Sequence, residues 1–171
     1  MYHLDSNILI GFLRGHLMSA YELLMGSDAS LFKVPAVVKA ELLVGAEKSS
    51  RPDEERLRVE SLLLPFEIIP FDETCAAHYA KIRADLEQKG RTIGSNDYLI
   101  AATALAHGAV LVTNNVDEFK RVPGLSLECW EESISRRAPS NVSVDQGITL
   151  ASISVLASPF HVDQDAGATL P

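Results

Sequence analysis

The chain has 171 residues, 47% hydrophobic and only 6% aromatic, enough for one aliphatic core with an appendage. A net charge of −8 and a sequence pI of about 5.1 exclude broad electrostatic attachment to nucleic acid or to an anionic membrane. They leave room for a nuclease whose metal ions bridge acidic side chains to phosphate. The N-terminus, Met1-Tyr-His-Leu-Asp5, has neither the basic nor the apolar region of a signal peptide, and no apolar run reaches the roughly 20 residues of a membrane helix. Cys75 and Cys129 fit neither a metal-ligand spacing nor a disulfide framework, which points to a reducing cytoplasm.

In chain order, Tyr2–Leu4 predicts a short strand with Asp5 at its carboxyl end. Ser6 and Asn7 offer caps for a helix through Leu13, which Arg14-Gly15 interrupts before a second helical patch at Met18–Met25. Leu31–Val34 reads as strand two, and Pro35 suits the first turn of the helix that carries Glu41 among apolar residues. Glu47–Arg56 reads as a charged, solvated connection, followed by a helix over Leu57–Leu64 that Pro65 stops. Phe66–Phe71 is the third predicted strand, and Asp72 an N-cap for a helix over Glu73–Lys89 with Cys75, Tyr79, Ile82 and Leu86 inward. Ser95 reads as the cap of a nearly all-apolar, hence buried, helix that starts with Asp97 in its first turn and ends at Gly108. Ala109–Val112 and Leu125–Leu127 complete the strands.

Strands separated by helices imply a parallel sheet covered on both faces, with its site outside the carboxyl ends of the strands. Asp5 lies at one such end and Glu118 in the loop after another, while Asp97 and Glu41 sit in helices whose amino ends face the same edge. Acids gathered this way repel one another and raise each other's pKa, which is hard to justify as packing but suits hard divalent cations. Such ions activate water and stabilise the transition state of phosphodiester hydrolysis. The histidines His3, His16, His78, His107 and His161 show no zinc spacing. Lys48, Arg51, Arg56, Arg83, Lys89, Arg91, Lys120 and Arg121 read as mostly solvated, with some available as a phosphate track.

Several ordered pieces carry a family resemblance: Leu4-Asp5-Ser6-Asn7, Ala40-Glu41-Leu42 with Gly45-Ala46-Glu47-Lys48, Ile82-Arg83-Ala84, Ile93-Gly94-Ser95-Asn96-Asp97 with Ile100-Ala101-Ala102, Val112-Thr113-Asn114-Asn115, Glu118-Phe119, and Val122-Pro123-Gly124-Leu125 ending at Trp130. Over roughly residues 1–132 the chain resembles the PIN-domain ribonucleases, and among them the VapC toxins of bacterial toxin–antitoxin pairs. The resemblance implies an α/β, three-layer PIN-like fold with a mainly parallel central sheet. It implies a Mg²⁺-dependent endoribonuclease, Mn²⁺ substituting, that acts on RNA such as tRNA, dimerises with itself and is neutralised by an antitoxin. The family's acidic constellation carries over to Asp5, Glu41, Asp97 and Glu118, with Asp5 and Asp97 matching the metal positions. Ser6 stands where Thr is usual, and Asn115 or Asp117 could share the role of Glu118.

Two other readings stay open at this stage. One is a catalytically silent PIN-like module that only binds protein or RNA. The other is a haloacid-dehalogenase-like phosphatase, which wants a second acid two residues after Asp5, where Asn7 stands. The nuclease domain is expected over residues 1–135. Residues 136–171 have no basic residue after Arg137 and few aromatic anchors, and are expected to form a disordered extension.

Overall fold

The computed structural model describes residues 1–130, and the expected extension over 136–171 lies outside them. Five strands, β1 (Tyr2–Leu4), β2 (Phe32–Pro35), β3 (Glu67–Ile69), β4 (Val110–Val112) and β5 (Ser126–Glu128), form one sheet in the order β3-β2-β1-β4-β5. Every pairing is parallel, with Tyr2 opposite both Phe32 and Val110, and Leu4 opposite Val112. The expected parallel sheet flanked by helices is therefore the fold. β1 lies at its centre, where the strand order reverses direction. In open sheets of this kind the crevice at the reversal, beyond the carboxyl ends of the strands, is where ligands bind.

The helices are α1 (Ser6–Leu13), α2 (Met18–Met25), α3 (Ala36–Glu47), α4 (Pro52–Leu63), α5 (Glu73–Gln88), α6 (Ser95–Ala106) and the single turn α7 (Val116–Phe119). The α4 helix starts five residues earlier than its hydropathy suggests. Pro52 occupies the first turn, where its missing N–H costs nothing, and Asp53, Glu54 and Glu55 follow where the dipole favours acids. What reads as a solvated connection is thus partly a charged first turn. Asp72 caps α5 as expected, accepting the Cys75 N–H at 2.9 Å. At α6 the cap is Gly94, not Ser95, and no side chain caps that end. Its carboxyl end closes through Gly108, at φ +58°, with the Ala109 N–H returned to the Ala104 carbonyl.

The core is aliphatic and continuous across the sheet, with Leu4, Ile8, Leu9, Val34, Val38, Ile100, Leu111, Val112 and Phe119 almost wholly buried. Burying each such side chain is favourable by about 1.5–3 kcal/mol before the entropy of ordering it. Small residues Ala101, Ala102 and Ala104 let α6 lie close against its neighbours. Trp130 covers one end of the core, its ring edge-on to Phe32 at 5.8 Å. Among the buried polar residues His3, Asp5, Thr103 and Thr113, His3, in the central strand, is fully enclosed and neither ring nitrogen has a hydrogen-bond partner.

Candidate active site

Asp5 ends β1 and caps α1, its Oδ1 accepting the Ser6 N–H at 2.7 Å. Neither Ser6 nor Asn7 is the cap, because the carboxylate is nearer the helix end than either. Asp5 Oδ2 accepts from the Thr113 hydroxyl at 2.6 Å and from Asn7 Nδ2 at 2.8 Å. Thr113 follows β4, the direct neighbour of β1, so the parallel register brings these two strand ends together. Its hydroxyl also accepts from Asn7 Nδ2 and from the Asn115 N–H, while Asn7 Oδ1 accepts the Asn114 N–H at 3.2 Å. The result is a closed polar lattice that holds Asp5 in one orientation. Burial pushes the Asp5 pKa up, the hydrogen bonds from Thr113 and Ser6 oppose that rise, and the Glu41 charge adds to it.

Asp97 enters from the first turn of α6. Burial, then a hydrogen bond with Glu118, then the charges of Asp5, Glu118 and Glu41 push its pKa up to about 7. The same contact with Asp97, and after it the Gly94 N–H that reaches Oε2 at 3.2 Å, lowers the pKa of Glu118. Gly94 also makes room, since a Cβ there would lie 2.9 Å from Asp97 Oδ2. Glu41 approaches from α3; its Oε1 accepts from Asn96 Nδ2 at 2.7 Å, and its Oε2 is buried with no partner.

The four predicted acids thus act on one another from four separate elements. Asp117 does not join them: it is exposed and paired with Lys120. Asn115 contributes its backbone N–H to Thr113, not its side chain to the cluster. The supporting roles of Asn7, Thr113, Asn96 and Gly94 are not evident from residue type. The signal that could have revealed them is position, because polar residues directly after two neighbouring parallel strands must face each other.

Among the described residues, no group of three or more histidine, cysteine or acidic side chains is placed to hold a metal ion by itself. The donor chemistry nonetheless fits a hard divalent cation. All donors are oxygens, and Mg²⁺ commonly takes one or two carboxylates and keeps its waters. The set lacks positive charge: neighbouring acids raise the pKa of Asp97, and Oε2 of Glu41 is buried without a partner. Asp5 and Asp97 are the residues that would hold an ion, with Glu41 and Glu118 beside it.

The sequence model of the PIN domain matches residues 2–125. The chain belongs to the PIN-domain family, in its VapC branch. It is 41% identical to Ribonuclease VapC2 of Rickettsia felis over 135 residues, covering 77% of this chain and 99% of that protein. It is 34% identical to the tRNA(fMet)-specific endonuclease VapC of Salmonella typhimurium over 132 residues, covering 75% and 97%. Among solved structures it is similar to VapBC2 from Rickettsia felis, bound to a DNA fragment from their promoter. There the TM-score is 0.70 at 41% identity, over 75% of this chain and 98% of that one.

In this PIN domain two clefts flank α3, and both reach Glu41. One, of about 340 Å³, is lined by Ile10, Leu13, Arg14 and Val59; the other, of about 520 Å³, by Val37, Ala40, Val44 and Leu99. Both are open to solvent, so neither encloses a small molecule.

Proposed function

We propose that this VapC-type PIN domain is a divalent-metal-dependent endoribonuclease, using Mg²⁺ or Mn²⁺, and the toxin of a toxin–antitoxin pair. The observation that carries the reading is the gathering of acids around the start of α6: the Gly94 N–H holds Glu118, a Cβ on Gly94 would lie 2.9 Å from Asp97 Oδ2, and Asn96 holds Glu41. Nothing in packing rewards that arrangement, whereas a cation does. A bound ion would supply an activated water and stabilise the charge developing on the phosphate. Asp5 is held by Thr113, Asn7 and Ser6 and presents a fixed ligand. Glu41 Oε2, buried and free of any donor, adds uncompensated negative charge that a cation would satisfy. Glu118, held by the Gly94 N–H, stands beside the Asp97 carboxyl.

The substrate we favour is a structured RNA such as tRNA, in keeping with the name of the Salmonella relative. The partners are an antitoxin and a second copy of the chain. A basic antitoxin side chain placed among the acids would make strong charge-assisted contacts.

The test is cleavage of total RNA by the purified full chain with Mg²⁺, with EDTA, and by the Asp97→Asn variant. We expect cleavage only in the first case. Mg²⁺ should also raise the melting temperature of the native protein, because it binds only the folded state, and raise it less in Asp5→Asn. Cleavage that survives both EDTA and Asp97→Asn would sink the assignment.

A further inference from the structure

Several basic residues of the described region are committed to its own acids. Arg51 pairs with Glu54, Arg56 with Glu47, Arg83 with Glu87, Lys89 with Asp85 and Lys120 with Asp117. Arg121 is arranged differently. It is half-buried at the carboxyl end of α7, where its own N–H closes onto the Glu118 carbonyl at 3.0 Å. Its guanidinium donates through Nη1 to the Thr92 carbonyl at 2.8 Å, not to a carboxylate. Thr92 lies two residues before Gly94, the residue whose N–H holds Glu118. The arginine therefore bridges the end of α7 and the segment before α6, next to Glu118 and Gly94, and its charge acts on Glu118 and on Asp117 without a direct ion pair to either.

We propose that Arg121 binds a phosphate of the RNA flanking the scissile bond. The proposal rests on the ribonuclease reading and adds a substrate contact to it. A guanidinium tied to one carbonyl keeps N–H donors in a planar fork that matches phosphate, and the tie has already removed much of its rotamer freedom. A chain with net charge −8 repels RNA at long range, so a fixed cation beside the acids is where the polyanion can be held locally. A purely structural role, tying α7 to the loop before α6, predicts the same hydrogen bond but no dependence of RNA binding on the charge.

The experiment measures binding of a tRNA to the full chain carrying Asp97→Asn, so that substrate survives, across a range of salt concentrations. The comparison proteins carry Arg121→Gln or Arg121→Lys in addition. Arg121→Gln should weaken binding about tenfold or more and lower the slope of log K against log salt by about 0.7, the value of one phosphate contact on a single strand. Arg121→Lys should keep the slope, and the melting temperatures should agree within a few degrees. An unchanged slope in Arg121→Gln overturns the proposal. So does a loss of binding that is equal in the Gln and Lys variants and accompanied by a lower melting temperature, since that is the structural role. If the Asp97→Asn parent binds no RNA while the native chain cleaves none, the ribonuclease reading itself fails, and Arg121 with it.

Discussion

His3 is the residue whose chemistry and position disagree most. Its imidazole is fully buried in the central strand, 5.5 Å from the ring of His107, with both nitrogens unpartnered. Burial first, then the charges of His107, Lys33 and the N-terminus, push its pKa down to about 4. As pH falls below the ordinary value of 6.5, the unfolded chain takes up this proton before the folded one does. Stability is therefore lost progressively between about 6.5 and 4, by up to about 3 kcal/mol from this one group. His3→Leu, of similar volume and with no polar atom to satisfy, should be more stable at neutral pH, and its advantage should widen through that window. Thermal melts of both proteins at a series of pH values measure this; parallel curves would show that His3 is protonated equally in both states. Nothing in the sequence pattern marks His3 as enclosed, because a histidine near the N-terminus of a short strand reads as readily as solvent-facing.

At the scale of elements, the strongly periodic segments are legible and their ends are not. Hydropathy places β1 and α2 at their observed bounds, and Asp72 as a cap, because apolar spacing and a side-chain acceptor are local properties. It misplaces the start of α4, where charged residues occupy the first turn, and the cap of α6, where Ser95 has the right chemistry but is already helical. Gly94 takes the cap because the Asp97 carboxylate needs the space that a side chain would fill. Its backbone, at φ −58° and ψ 149°, is one any residue adopts. Gly94→Ala should therefore fold with little change in melting temperature yet lower metal-dependent RNA cleavage about a hundredfold, since small misplacements of a catalytic group are that costly. Undiminished cleavage by this variant would mean that Asp97 has freedom to move without loss.

For the whole molecule, the decisive property is the strand order. It puts the ends of β1 and β4 side by side at the reversal point and brings α3, α6 and α7 to the same edge. The alternation of strands and helices made the parallel sheet predictable, and with it the convergence of Asp5, Glu41, Asp97 and Glu118. It could not give the strand order itself, which is why Thr113 and Asn7, touching across 106 residues of chain, escaped notice. The VapC relatives from Rickettsia and Salmonella are covered almost completely by an alignment of 132–135 residues. Trp130, which covers one end of the core, is the last described residue and lies beyond the last residue matched by the PIN-domain model.

The double duty of Asp5 has a consequence for genetics. Both of its oxygens are engaged by fixed donors, so Asp5→Asn sets an amide against the Nδ2 of Asn7 and leaves buried donors unpaired, at about 1–3 kcal/mol. Asp97→Asn has no such conflict, because the new amide can donate to the neighbouring Glu118 carboxylate. If the chain arrests growth, escape from it divides by site. Survivors selected while a carboxyl-terminal fluorescent fusion remains bright should carry lesions at Asp97 more often than at Asp5. Dim survivors should show the reverse. Sequencing both pools measures the split, and an even distribution would separate the first acid from the scaffold it closes.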